Sequence, residues 1–234
     1  MNRSRTTDRK AWASLSPALP VVLGYLPIGF AFGVLAVSAG ISPFNAVLMS
    51  LIVFAGSAQL MAVGFITQGV GPWTLIAATF IINLRHLLMS ASLSPHMQKW
   101  RGAQVAGFAF ELTDETFGVH SLRFEQGQTA PGSALRINMV CHLSWVVGSL
   151  LGVLAGGLIE DVRLFGLDYA LPAMFIALLV MQIRGSLYLW VALGAGVLSM
   201  FIWGAGLTRW NVILAAVIAA AVAAGVETWR KPRS

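Results

Sequence analysis

The sequence predicts an all-α membrane protein, a polytopic bundle of about seven or eight transmembrane helices with some of them broken or re-entrant. Three observations predict it. Hydrophobic residues make up 57 % of the 234 and charged residues 10 %, against about 25 % charge in an ordinary soluble domain. Mean hydropathy is +0.78. Between Lys10 and Arg85 lie 74 residues without one Asp, Glu, Lys or Arg. A bilayer crossing needs about 20 apolar residues, so that block alone holds about three spans. This composition excludes a soluble enzyme, a disordered chain and a collagen-like fibre.

Residues 1–16 form a basic N-terminus, in which Arg3, Arg5, Arg9 and Lys10 outweigh Asp8. Residues 229–234 form a basic tail with Arg230, Lys231 and Arg233. The net charge of +6 thus sits beside apolar segments rather than on a nucleic-acid-binding face. The positive-inside tendency places both ends in the cytoplasm of a multi-pass cell-membrane protein. The basic start runs directly into a long apolar segment without a cleavage pattern, so no cleaved signal peptide is expected. The single cysteine, Cys141, carries no information about redox compartment.

Residues 17–228 read as one transmembrane domain with three parts. The first helical unit, 17–93, holds spans at 17–39, 44–67 and 73–92. Short uncharged turns, Gly40-Ile41-Ser42-Pro43 and Gln68-Gly69-Val70-Gly71-Pro72, join them. A polar middle segment, 94–136, collects Lys99, Arg101, Glu111, Asp114, Glu115, Arg123, Glu125 and Arg136; its centre, 105–122, reads as a polar span or a re-entrant helix. A four-helix C-terminal unit, 137–228, holds segments at 137–159, 166–183, 187–207 and 210–228. Counting the middle segment as a span turns Lys99 and Arg101 outward, against the positive-inside tendency. A broken or re-entrant early segment changes that parity. Ala18-Leu19-Pro20 recurs as Ala170-Leu171-Pro172, a slight hint of internal repetition.

Several residues carry chemistry. In the first span Pro27 removes a backbone donor, and Gly24, Gly29 and Gly33 surround it. A break there exposes amides to a charged ligand; the competing expectation is a kinked helix packed through small residues. In the second span Gly56-Ser57 suits a break or a substrate-facing notch. Gln59 must find partners in lipid, either across a cavity or as a link between helices. Arg85 is the one charge in the first three spans and lies too deep for snorkelling. Such a charge costs about 2.5–3.5 kcal/mol to insert and implies a partner or a wet cavity. Asn83 and His86, three apart, share a helical face beside it. Its natural partner is Asp114 or Glu115, where a competing reading is an ion pair that merely locks two helices. Glu111, Asp114 and Glu115 fall at i, i+3 and i+4, one helical face on which like charges favour sharing a proton. That suits proton coupling or an amine site, and equally a solvated helix face. His142, Trp145 and Asn138 share a later span. His86 and His142 do not amount to a haem or metal site, since no HxxxH pair, CxxCH or metal-spaced cluster accompanies them. No cofactor and no metal are expected. There is no GxxxxGK[ST], GxSxG or HExxH, so an enzyme is not expected.

Four ordered motifs carry a resemblance. Gly-Tyr-Leu-Pro-Ile-Gly-Phe-Ala-Phe-Gly at 24–33, Phe-Ala-Gly-Ser-Ala-Gln at 54–59, Asn-Leu-Arg-His at 83–86 and Leu-Thr-Asp-Glu-Thr-Phe at 112–117 resemble the AzlC family, the large subunits of branched-chain amino acid exporters. The resemblance implies export of valine, leucine and isoleucine, with methionine as a further candidate, working with a small hydrophobic AzlD-type membrane subunit. On this reading Pro27, Gly29, Gly56, Ser57, Gln59, Asn83, Arg85, His86, Asp114 and Glu115 line the substrate and proton pathway. Amides near Gly29 or Gly56, or Arg85, take the substrate carboxylate. Asp114 or Glu115, or backbone carbonyls, take its ammonium. Proton antiport is the expected drive, with Asp114, Glu115 or His86 titrating. Two alternatives stay open: a channel or uniporter for another small solute, and a non-transporting membrane scaffold subunit.

Overall fold

The computed structural model describes residues 15–159, 185–206 and 211–230, with single positions between 166 and 183. Residues 1–14 and 231–234 of the basic ends, the charges at Glu160, Asp161, Arg163, Arg184 and Arg209, the repeat at Ala170-Leu171 and most of the expected 166–183 span lie outside the described residues. Every described element is helical, as expected of an all-α membrane protein. Four described segments are long and apolar enough to cross a membrane: Ser16–Ser38, Pro72–Met97, Pro131–Gly156 and Ser186–Gly204. The chain divides into two units, 1–175 and 176–234.

In the first unit a 3-10 turn, Ser16–Ala18, leads into α1, Leu19–Ser38. Next come α2 (Pro43–Ile52), α3 (Gly56–Thr67) and α4 (Pro72–Leu93). A second 3-10 turn, Ser94–Met97, precedes α5 (Gly102–Phe110), α6 (Asp114–Glu125) and α7 (Pro131–Gly156). The second unit contains α8 (Ser186–Gly204) and α9 (Asn211–Arg230).

The first span is not broken. α1 continues through Pro27, which faces out of the unit, and Gly29 and Gly33 lie against α7. A Cβ on Gly33 would overlap the Ser149 carbonyl oxygen, and one on Gly152 the Phe30 carbonyl oxygen. The two backbones therefore touch, as small residues at i and i+4 allow in lipid. This packing over-rides the tendency of proline to open the helix.

The second span is the broken one. α2 stops at Ile52 and α3 starts at Gly56. Between them Phe54 takes φ +41°, a left-handed conformation that costs a bulky residue about 1–3 kcal/mol. The Phe54 amide donates back to Met49 O at 3.4 Å instead of continuing the i to i−4 ladder. The middle segment is also broken, between Phe110 and Asp114. Glu111 therefore sits in a break and does not share a continuous helical face with Asp114 and Glu115. The segment expected from 137 begins earlier, because Pro131 occupies the first turn of α7 and Arg136 lies inside the helix.

The two breaks belong to one repeated plan. A helix of 10 residues, three connecting residues and a helix of 12 lead through Gln68-Gly69 into α4, which opens on Pro72. A helix of 9 residues, three connecting residues and a helix of 12 lead through Gln126-Gly127 into α7, which opens on Pro131. Gly69 and Gly127 hold φ +66° and +77°, where only glycine is unstrained. Met89, Leu93, Met97, Phe108, Leu112, Phe124 and Ala134 form a buried apolar cluster joining the ends of α4, α5 and α6 to α7. Trp100 Nε1 donates to Thr129 O at 2.9 Å across the same end.

Candidate functional site

Both breaks meet the side chains of the long helices. In α3 the amides of Gly56, Ser57 and Ala58 occupy the first turn and have no intrahelical acceptor. No acidic residue stands in that turn. In α6 the Thr113 side chain accepts from the Thr116 amide, and Thr116 Oγ1 accepts from the Thr113 amide, a reciprocal cap. Its first turn carries Asp114 and Glu115, the charge that suits the positive end of a helix dipole.

Arg85 on α4 joins these two helix starts. Its Nη1 lies 2.9 Å from Asp114 Oδ2, and its Nη2 donates to Ser57 Oγ. Asp114 is thus the carboxylate that Arg85 takes, one of the two expected. The pair is not sealed: the Arg85 side chain is 25 % exposed and that of Asp114 15 %. Arg85 Nε and Asn83 Oδ1 are buried without a hydrogen-bond partner. Glu115 turns to α1, where Tyr25 Oη donates to its Oε2 at 2.7 Å and lies 2.6 Å from Thr113 Oγ1.

Gln59 is fully buried and closes the first break. Its Oε1 accepts from Trp145 Nε1 at 3.1 Å and from the Ala55 amide at 3.3 Å. Its Nε2 donates to Ser50 Oγ at 3.2 Å, and Ser50 Oγ donates to Ser149 Oγ at 2.7 Å. The Trp145 ring also bounds Gly56, where a Cβ would come 2.7 Å from Trp145 Cη2. Of the residues singled out in the sequence, Ser57, Arg85 and Asp114 therefore meet directly, Glu115 joins them through the start of α6, and Gly56 and Gln59 form the adjoining break. Asn83 lies on the same helix as Arg85. His86 Nδ1 lies 3.2 Å from the Asn83 carbonyl of its own helix. Pro27 and Gly29 do not join the cluster: one faces outward and the other packs on the Trp145 carbonyl.

Sequence reasoning passed over Ser50, Tyr25, Thr113, Thr116 and Ser149. Tyr25 lies within the 24–33 motif, but a tyrosine in an apolar run carries no signal for its partner. The sequence assigns His142 and Trp145 no role. No group of three or more metal-ligating side chains occurs among the described residues. In the second unit, a groove between α8 and α9 is lined by Leu187, Val191, Ala195, Ala219 and Ala223, with no charged side chain among the described residues.

The profile of the AzlC protein family matches residues 20–159. An uncharacterized membrane protein of Archaeoglobus fulgidus is 33 % identical over 86 % of this chain and 88 % of its own length. The inner membrane protein YgaZ of Escherichia coli is 30 % identical, over 70 % of this chain and 69 % of its own. The branched-chain amino acid transport protein AzlC of Bacillus subtilis is 26 % identical over 78 % of this chain and 73 % of its own. No solved structure matches.

Proposed function

The chain belongs to the AzlC family, and from that membership we propose that it is the large subunit of a branched-chain amino acid exporter. The Bacillus subtilis relative carries branched-chain amino acid transport in its name. The single observation that supports a transport site is Arg85, which bridges Ser57 at the start of α3 and Asp114 at the start of α6. A zwitterion has one group for each side of this bridge. Its carboxylate goes to the first-turn amides of Gly56, Ser57 and Ala58, assisted by Arg85, because that helix start carries no acid of its own. Its ammonium goes to Asp114 and Glu115. Discontinuous helices offering backbone to a substrate in mid-membrane are a recurrent transporter device. The partial exposure of the Arg85–Asp114 pair favours this over a sealed ion-pair lock in a scaffold.

The export is secondary active, driven by proton antiport, with a small hydrophobic AzlD-type subunit completing the permease. Its substrates are valine, leucine and isoleucine, with methionine as a further candidate. Both termini face the cytoplasm.

Efflux tests the proposal. Cells lacking their own exporters are loaded with a valine-containing dipeptide, and internal and external valine are followed over minutes. The protein with its small subunit accelerates valine loss; either alone does not. Arg85→Ala in the pair, present at normal level, is inactive. Unchanged valine efflux with both subunits verified in the membrane would contradict the branched-chain assignment.

A further inference from the structure

The buried His142 on α7 touches both breaks at once, and its hydrogen bonds dictate where its protons are. Its Nε2 lies 3.1 Å from Ser50 O. A carbonyl oxygen only accepts, so Nε2 carries a proton and donates. Ser50 O is the carbonyl that Phe54 N–H would take in a continuous helix, and that amide goes to Met49 O instead. His142 thus satisfies the acceptor that the first break orphans. On the other side, Nδ1 lies 3.5 Å from Oε1 of Glu111, in the second break. Both side chains are buried, with His142 8 % and Glu111 7 % exposed.

With Nε2 already a donor, neutral histidine presents a lone pair at Nδ1, and an ionised Glu111 presents another. The contact is attractive only when one more proton is present. That proton sits either on Nδ1, giving imidazolium and carboxylate, or on the carboxyl, which then donates to Nδ1. In both forms the pair is neutral overall. Loss of the proton to water leaves the pair at charge −1 with two lone pairs opposed. The Phe54 ring stacks on the imidazole at 4.1 Å and 20°, so a shift of His142 bears directly on the left-handed turn of the first break.

We propose that His142 and Glu111 hold one proton between them, that this proton clasps the two broken helices to each other, and that its release opens them. The pair is then the proton-coupling site of the exporter, a statement that rests on the transport reading above. It is separate from the Arg85–Asp114 bridge, so proton and substrate occupy different sites joined by the two breaks. Other titratable or charged groups on the packed elements are Tyr25 on α1, Asp114, Glu115, His120, Arg123 and Glu125 on α6, and Cys141 and Arg136 on α7 itself. α2 and α5 contribute none.

The test uses the exporter with its small subunit in liposomes, as native protein, Glu111→Gln and His142→Gln. Two fluxes are read: valine exchange without a gradient, and valine accumulation driven by a pH gradient. Coupling through this pair predicts that in each variant exchange persists at a pH-independent rate while accumulation falls to the equilibrated level. Accumulation retained as in the native protein overturns the proposal. So does equal loss of exchange and accumulation, since a purely structural contact would act on both together. Should native protein move no valine, the functional reading fails, and the clasp is tested by itself. Hydrogen exchange of the 50–55 and 110–113 amides, corrected for intrinsic chemistry, is followed across about pH 5 to 8. Protection in native protein falls as pH rises and becomes independent of pH in Glu111→Gln. A pH dependence unchanged in both variants refutes the clasp.

Discussion

Gly152→Ala is the sharpest test of how the fold holds the site. In an exposed helix this change gains about 1 kcal/mol from helix propensity. Here the new Cβ overlaps the Phe30 carbonyl oxygen, with Phe30 C at 2.8 Å and Phe30 Cα at 3.0 Å. All three atoms are backbone, so no rotamer change relieves the overlap. Restoring ordinary carbon–oxygen contact requires α1 and α7 to part by on the order of 1 Å. A gap of that size forfeits about a quarter to a half of each dispersion contact along the seam. The cost belongs near the upper end of the overpacking range, about 2–3 kcal/mol. For a chain of this length that lowers Tm by about 5–10 °C. The assay is thermal unfolding of the purified protein in mild detergent, with Gly24→Ala as the control on α1, where nothing lies within 4 Å of a Cβ. The same parting moves Tyr25, so its 2.6 Å contact with Thr113 and its 2.7 Å bond to Glu115 weaken, and transport falls with stability. A Gly152→Ala protein as stable as the native one, or a Gly24→Ala protein equally damaged, refutes the reasoning.

Two further predictions concern the breaks. Asp114→Asn leaves the Arg85 guanidinium facing two helix starts without its counter-charge, and partial exposure limits the loss to about 2 kcal/mol. Adding Arg85→Gln recovers stability in unfolding measurements but not valine transport; recovery of transport would make the pair a simple lock. Gln59→Leu strands the Trp145 Nε1–H and the Ala55 N–H in a buried site, a loss of about 2–4 kcal/mol for two unpaired donors. A Gln59→Leu protein with the native Tm would contradict the role of Gln59 in closing the break.

The legible parts of the fold were those set by hydropathy and charge. A run of 74 residues without charge announces spanning helices, and the uncharged turns at 40–43 and 68–72 announce where they end. Arg85 was legible because an ion in lipid requires a partner, and Asp114 was among the few carboxylates available. The break at 53–55 was less legible, because Val53, Phe54 and Ala55 are as apolar as the helices they separate. Its marks are a backbone angle at Phe54 and a cap supplied four residues later by Gln59, neither of which changes hydropathy. Pro27 misled in the opposite direction: proline signals a break, but the tight Gly29–Gly33 seam on α7 keeps α1 continuous. Glu111 looked like a helical neighbour of Asp114 because i, i+3 spacing presumes a helix, and here the helix starts at Asp114. The repeated plan was present in the sequence as Gln68-Gly69 and Gln126-Gly127, each shortly before a proline. Two glycines and two prolines do not reveal it until both flanking helices are seen to be broken.

The central claim is that one zwitterion spans the two helix starts, its carboxylate at α3 and Arg85 and its ammonium at Asp114 and Glu115. Competition against labelled L-valine by analogues lacking one charge tests it most directly, in liposomes holding the protein and its small subunit. The account predicts that valinamide, without a carboxylate, and N-acetylvaline, without an ammonium, both fail to compete at concentrations where leucine and isoleucine compete fully. Competition by either analogue at the level of leucine would show that the corresponding helix start does not hold the substrate, and would contradict the account.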